Sequence, residues 1–319
     1  MARSAQSSAL RRMLLAASDS DRARRLLVSA PLARSVVARY VAGDQATAAV
    51  EVAGKLAASG LMVTLDHLGE DTSDVQQATA VGDEYVALLK LLAAQELTGG
   101  ARAEVSVKPT AVGLGLAEHG EQTASENIAR ICAAAREVGT TVTLDMEDHT
   151  HVDATLRIVR TLRGDYPDLG CVIQSQLLRS ADDCADLATP GSRVRLCKGA
   201  YNAPPDVAFV TRAEVDRSYA RCMRMLMRGS GYPMLATHDP RLIEIAGAQA
   251  HLTGRDPGDF EYQMLYGIRP AEQRRLADAG AQVRVYLPYG SDWYAYLVRR
   301  LAERPANLAF FARSLVTRS

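Results

Sequence analysis

Through roughly the first 55 positions, Leu14, Leu15, Leu26, Leu27, Val36, Val37 and Val41 recur at helix-compatible spacing, which predicts helix. After Gly60 the pattern changes. Short β-branched apolar runs alternate with longer helical stretches, and the runs predict strands over 61–65, 104–107, 141–144, 171–174, 193–196, 234–237, 260–265 and 282–286. Most of these runs are nearly continuous in apolar residues, which suits strands buried on both faces of a parallel sheet. Helix starts stand between them. Thr123-Ala-Ser-Glu126, Ser180-Ala-Asp-Asp183 and Thr211-Arg-Ala-Glu214 have capping-box spacing. Asp239-Pro240 sets an N-cap before a first-turn proline, Pro270 starts the next helix the same way, and Pro305 stops the last.

Eight strands alternating with helices over about 240 residues predict an α/β fold, a (β/α)8 TIM-type barrel with extra N-terminal helices. Residues 1–55 form the N-terminal helical segment and 56–319 the catalytic barrel. The competing arrangement is an open doubly wound sheet, but no predicted strand is followed by G-x-G-x-x-G or a Walker loop. Before Asp19 there is no acidic residue, and Arg3, Arg11 and Arg12 lie among serines and alanines. Those are cues of a targeting segment, yet the apolar spacing favours a helix of the domain.

Composition narrows the class. With 48% hydrophobic residues the chain can bury a large core. Its 37 basic and 37 acidic residues cancel, which argues against a nucleic-acid partner, since such binding runs on excess positive charge. No apolar run reaches the roughly 20 residues that span a bilayer. Five cysteines without a C-x-x-C pair suit a reducing, cytoplasmic compartment and no zinc module. Only four of the basic residues are lysine, namely Lys55, Lys90, Lys108 and Lys198, so a lysine here is a selective choice.

Barrel chemistry sits where strands end. Read in order, those ends carry Asp66, Lys108, Asp145 with Glu147 and Asp148, Gln174, Arg195 with Lys198, Thr237-His238, Gln263 and Tyr286. Singly, each reads as a loop polar group, a cap or an ion-pair partner; together they form a ring. One chemistry for it is metal-assisted hydrolysis, with His149 and His151 near three carboxylates. Both histidines, however, lie beyond the strand, so no metal site is assigned. The other is binding of an anionic cofactor and an anionic substrate, through Arg195 and Lys198 on phosphates and Gln174 and Thr237 on a heterocycle. Near the C-terminus, Arg299 and Arg300 precede Glu303. Arg299 and Glu303 have the spacing of a helical surface ion pair, or the two arginines clamp a carboxylate while Glu303 steadies them.

Arg195-Leu-Cys-Lys-Gly-Ala-Tyr201, and Tyr286-x-Pro-x-Gly followed by Tyr-Leu-Val-Arg-Arg-Leu-Ala-Glu-x-x-Ala-Asn307, resemble signatures of the proline dehydrogenase family. The resemblance extends in order through Val105-Ser-Val-Lys108, Leu144-Asp-Met-Glu147, Val172-Ile-Gln174 and Ala236-Thr-His238, covering about residues 60–310. It implies a distorted (β/α)8 barrel that binds FAD non-covalently, oxidises L-proline to Δ1-pyrroline-5-carboxylate and passes electrons to a quinone. That acceptor implies at most peripheral contact with a membrane, at the inner face of the plasma membrane. The length suits the single-activity bacterial type rather than the fused bifunctional relatives, and a homo-oligomer is compatible with it. By position, the resemblance assigns Asp145 and Arg195 to catalysis, and Lys108, Tyr286, Arg299 and Arg300 to substrate. Glu303 has the supporting role given above. Met146, Gln174, Arg195, Lys198, Gly199, Ala200, Thr237 and His238 fall to the cofactor.

Overall fold

In a computed structural model of the protein, residues 37–294 and 296 are described. Helix α1 (Ala46–Ala58) leads into strand β1 (Met62–His67), and seven strand–helix alternations follow. These are α2 (Val75–Ala94), β2 (Ala103–Val107), α3 (Gly120–Glu137), β3 (Val142–Leu144), α4 (Val152–Leu162), β4 (Gly170–Gln174) and α5 (Ser180–Leu187). After them come β5 (Arg193–Cys197), α6 (Arg212–Arg228), β6 (Tyr232–Ala236), α7 (Pro240–Thr253), β7 (Glu261–Leu265), α8 (Pro270–Asp278) and β8 (Val283–Tyr289). All strands are parallel and close in sequence order, with Thr64 of β1 opposite both Glu104 of β2 and Tyr286 of β8. The barrel is thus the predicted one, and no strand boundary moves by more than three residues. The largest move is at β8, read as ending at Tyr286. Its ladder runs on through Pro288 and Tyr289 against Asp66 and His67, since a proline at the end of the pairing gives up only one donor.

Two helix starts differ from the capping-box reading. Helix α3 begins at Gly120, three residues before Thr123, behind a left-handed His119. In α5, Ser180 is the first helical residue, and its hydroxyl donates to the carbonyls of Gln174 and Leu177 instead of accepting from the helix. Local spacing cannot tell a cap from a hydroxyl claimed by the preceding strand end. Thr211 and Glu214 do form a reciprocal capping box, Asp239 caps α7 ahead of Pro240, and Pro270 opens α8. Pro305 and residues 1–36 lie outside the described residues.

Both faces of the strands are buried, but the two faces differ in chemistry. The positions facing the helices are apolar, such as Val63, Leu65, Val105, Val107, Val194, Leu196, Val285 and Leu287. The alternate positions fill the lumen and are polar: Thr64 and Asp66, Glu104 and Ser106, Arg193 and Arg195, Glu261 and Gln263, Arg284 and Tyr286, all but Tyr286 classed as buried. Hydrogen bonds between strands that are not neighbours prove the lumen placement. Arg193 of β5 donates to Glu104 of β2 at 2.7 Å, and Arg195 of β5 donates to Ser106 of β2 at 2.8 Å; between the neighbours β8 and β7, Arg284 donates to Glu261 through Nε at 2.7 Å and Nη2 at 3.0 Å. Branched aliphatic residues, the usual filling of such barrels, are replaced by ion pairs.

The chain ahead of α1 crosses the mouth of the barrel near β8. Ala42 N–H donates to the Pro288 carbonyl and Gly290 N–H to the Gly43 carbonyl, each at 2.9 Å. Tyr40, Val41, Leu68 and Tyr296 pack there with Trp293 and Ile268, a second small core separate from the main one. Gly267 makes the crossing fit: at φ +73°, a Cβ on it would come within 1.8 Å of the Arg39 carbonyl oxygen.

Because Arg284 is fully buried and neutralises Glu261 and Glu104, Arg284→Met strands buried carboxylates. Urea unfolding at pH 7 is expected to show a loss of about 3–5 kcal/mol. Removing the exposed Arg157–Glu121 pair by Arg157→Met should leave the unfolding curve nearly unchanged.

Candidate functional site

At the C-terminal mouth of the barrel, Asp145 is the hub. It leaves β3 with its N–H bonded to the Val107 carbonyl at 2.9 Å. One carboxylate oxygen accepts from Arg195 Nη1 at 2.7 Å and Ser106 Oγ at 2.9 Å; the other accepts from the Tyr286 hydroxyl at 2.7 Å. Arg195 also lies 5.3 Å from the centre of the Tyr286 ring. Its Nε donates to Gln263 and Nη1 also to Ser106, while the buried Nη2 has no hydrogen-bond partner among the described residues. Beside this hub, Lys108 makes a short contact with Asp66 Oδ1, and Asp66 Oδ2 is buried without a partner.

Burial dominates the electrostatics. It pushes the Asp66 carboxyl up despite Lys108 beside it. Burial alone would lower Lys108, but Asp66, Asp145 and Glu70 outweigh it and the ammonium is held above its ordinary value. Tyr286 is driven well up, first by burial and then by the Asp145 charge, so its hydroxyl stays a donor. Glu147 takes two bonds from Thr110, N–H at 2.9 Å and Oγ1 at 2.6 Å, yet burial still lifts its carboxyl to about 7.

Around this hub stand the residues that sequence reading gave to a cofactor. Gln174, at the end of β4, donates to the Glu147 carbonyl at 2.8 Å, and Met146 is buried between the two acidic residues. Lys198 follows β5 and sits between Asp216 and Asp239, which Arg241 also bridges. Gly199 has φ +105°, and a Cβ on it would lie 2.4 Å from the Gln176 side chain, so the absence of a side chain lets Gln176 pack against this backbone; Ala200 follows in the same loop. Thr237 Oγ1 accepts from Asp239 N–H, and His238 Nε2 accepts from Leu265 N–H at 2.9 Å, which leaves the ring proton on Nδ1.

The fold therefore joins Asp145, Arg195 and Tyr286 directly and sets Lys108 beside them. Lys198, Thr237 and His238 gather around Asp239 on the β5–β6 side. Arg299, Arg300 and Glu303 lie outside the described residues. His149 and His151 form a single turn before α4, His149 3.2 Å from Asp148. Among the described residues no three His, Cys, Asp or Glu side chains are grouped to hold a metal ion, and no helix is long and apolar enough to cross a membrane. Sequence reasoning set Gln263 and Glu147 in the ring of strand ends without giving them a role, and it passed over Ser106. The signal for Ser106 and Gln263 was present: each is a polar residue in an apolar strand, two positions from a charged one.

The fold and site have counterparts. The family model described as proline dehydrogenase matches residues 49–313. The chain is 41% identical over 282 residues to a proline dehydrogenase of Deinococcus radiodurans, covering 87% of this chain and 89% of that protein. It is 37% identical over 279 residues to proline dehydrogenase 1 of Bacillus subtilis subsp. natto, covering 87% and 90%. Among solved structures it resembles proline utilization A from Bdellovibrio bacteriovorus, inactivated by N-propargylglycine, with a TM-score of 0.77 at 24% identity over 84% of this chain. The corresponding protein of Bradyrhizobium japonicum gives 0.72 at 22% identity over 88%. The chain spans 32% of either solved chain, and at these identities the likeness is one of fold.

The Glu147 carboxyl titrates at about 7 in the folded protein and near 4.5 when unfolded. Between those values the folded state binds more protons, so stability falls as pH rises through the window, by up to about 3 kcal/mol. Glu147→Gln removes that term. Urea unfolding between pH 5 and 8 should show the wild type losing stability relative to the variant; parallel curves would mean that the carboxyl is ionised throughout.

Proposed function

Since the chain belongs to the proline dehydrogenase family, we propose that it oxidises L-proline to Δ1-pyrroline-5-carboxylate, the first step of proline catabolism, with FAD as the bound hydride acceptor and a quinone as the final one. The observation that carries this reading is the Asp145–Arg195–Tyr286 triangle with Lys108 beside it, at the mouth of a barrel whose chain matches that family over residues 49–313. The residues fit a flavin dinucleotide in three respects. Arg195 holds a buried Nη2 that makes no hydrogen bond among the described residues and lies 3.8 Å from Glu104, Lys198 and Arg241 add cations at the rim, and Gly199, at φ +105°, turns the loop after β5 without a side chain. When bound, FAD supplies a two-electron acceptor for hydride from carbon.

The protein's own part is orientation and charge. Lys108, kept protonated by Asp66 and its acidic neighbours, offers a charge-assisted bond to the substrate carboxylate, with Arg299 and Arg300 completing the clamp. Arg299 and Arg300 are given to the same carboxylate by the family resemblance alone, and each charge-assisted bond of this kind contributes about 1.5–3 kcal/mol. The Tyr286 ring is fixed at both ends, by its strand and by Asp145, and presents a rigid apolar face to the pyrrolidine ring. Arg195, pinned by Asp145 and Ser106, provides positive charge that does not reorganise during the reaction. Proximity then does the rest: a substrate held by its carboxylate and its ring face has little orientational freedom left to lose. A quinone acceptor implies contact with a membrane surface during turnover.

A visible spectrum of the purified protein tests the cofactor. Flavin bands that bleach on adding proline, and FAD after heat release, are expected. FMN, or no flavin after reconstitution, would sink the reading. Arg300→Met should raise the proline dissociation constant at least tenfold, since one decade is about 1.4 kcal/mol and the lost bond exceeds that. Flavin content should stay unchanged. Normal proline binding in that variant would reduce Arg300 to a structural role.

A further inference from the structure

Arg195 has five N–H donors in one plane, and two separate groups hold that plane. On one edge, Nη1 donates to Asp145 at 2.7 Å and Ser106 at 2.8 Å. On the other, Nε donates to Gln263 Oε1 at 2.5 Å. A glutamine amide can normally turn over and exchange its oxygen for its nitrogen, which would point two donors at the guanidinium. Gln263 is prevented from doing so. Its Nε2 donates to Glu261 Oε1 at 2.5 Å, and an ionised carboxylate accepts only, so the amide nitrogen must face Glu261 and the oxygen must face Arg195. Glu261 is in turn held by the Arg284 fork and the Tyr232 hydroxyl. All of these groups except the half-buried Asp145 and Tyr232 are buried.

We propose that Gln263, its amide locked in one orientation by Glu261, is a positioning residue that sets the plane of Arg195, whose Nη2 lies 3.8 Å from Glu104, and thereby fixes where its positive charge sits. The assignment rests on the reading that Arg195 works beside the reacting atoms. The role requires glutamine. A glutamate would set two carboxylates against each other at the Glu261 contact, and an apolar residue would leave both Arg195 Nε and a Glu261 oxygen unpaired.

Two variants test this in the flavin-loaded enzyme. Gln263→Met removes both polar contacts at similar length. Glu261→Gln combined with Gln263→Glu exchanges the head groups, so that a carboxylate faces Arg195 and an amide still spans from it to Arg284. In Gln263→Met, kcat is expected to fall at least tenfold while KM for proline stays within threefold and flavin content is kept. The midpoint potential of the bound flavin should fall by about 30 mV, a tenfold change for a two-electron couple. The exchange variant should recover most of both. An independent readout needs no turnover: the 1H–15N resonance of Arg195 Nε, identified by its loss in Arg195→Lys, should move in Gln263→Met and return in the exchange variant. An unmoved resonance, or an unchanged kcat and potential in Gln263→Met, overturns the proposal. If Gln263→Met does not fold, the exchange variant decides alone: low kcat with a displaced resonance overturns it. A wild type that does not oxidise proline would sink the functional reading, while the resonance would still decide whether Gln263 sets Arg195.

Discussion

Glu104 lies inside the barrel, out of reach of water, and its burial opposes ionisation. It is nevertheless held well below the usual carboxylate range, because Arg193, Arg284 and Arg195 converge on it and Thr141 donates to it. Removing one partner from such a group leaves an unpaired buried charge at a cost of about 3–5 kcal/mol. The lumen therefore admits these charges only as a complete set, with Glu104 and Glu261 answered by Arg193 and Arg284. Register is bound to that set, because shifting any strand by one residue would turn its lumen charges out among the helices.

The same rule, applied less completely, makes the mouth of the barrel. Going up β5 from Arg193 to Arg195 passes from a hydrogen-bonded ion pair to a guanidinium whose buried Nη2 reaches Glu104 only at 3.8 Å, without a hydrogen bond. Going up β1 reaches Asp66, with one oxygen on Lys108 and one without a partner. Glu147 is raised to about 7 even with two hydrogen bonds. Incomplete satisfaction of buried groups is costly for folding, and it is tolerated here where a substrate or cofactor has something to complete. β5 carries a member of both layers, Arg193 below and Arg195 above, so the rigid pair below helps hold the guanidinium above in place.

Much of this architecture was legible in the chain. Alternating apolar runs and helical stretches located all eight strands, because strand burial depends on local composition and the helices between them announce themselves by caps at Thr211, Asp239 and Pro270. The motifs carrying Lys108, Asp145, Arg195 and Tyr286 converge at one end of the barrel as their strand-end positions implied. The caps read at Thr123 and Ser180 were not caps. Their hydroxyls answer to neighbours that four-residue spacing does not contain.

Sequence alone determined the parallel barrel, the order of its elements and the strand ends at which polar groups collect, since these follow from hydrophobic period, turn chemistry and position along the strand. What only the tertiary structure decided is which polar groups meet. Glu104 and Arg193 are 89 residues apart, as are Ser106 and Arg195, and Asp145 and Tyr286 are 141 apart. The pattern within each strand says only that a residue points inward. Closure of the sheet brings inward-facing groups from opposite strands within hydrogen-bond distance, and it turns Glu104, Glu261 and Gln263 from apparent exceptions in apolar strands into the supports of Arg195.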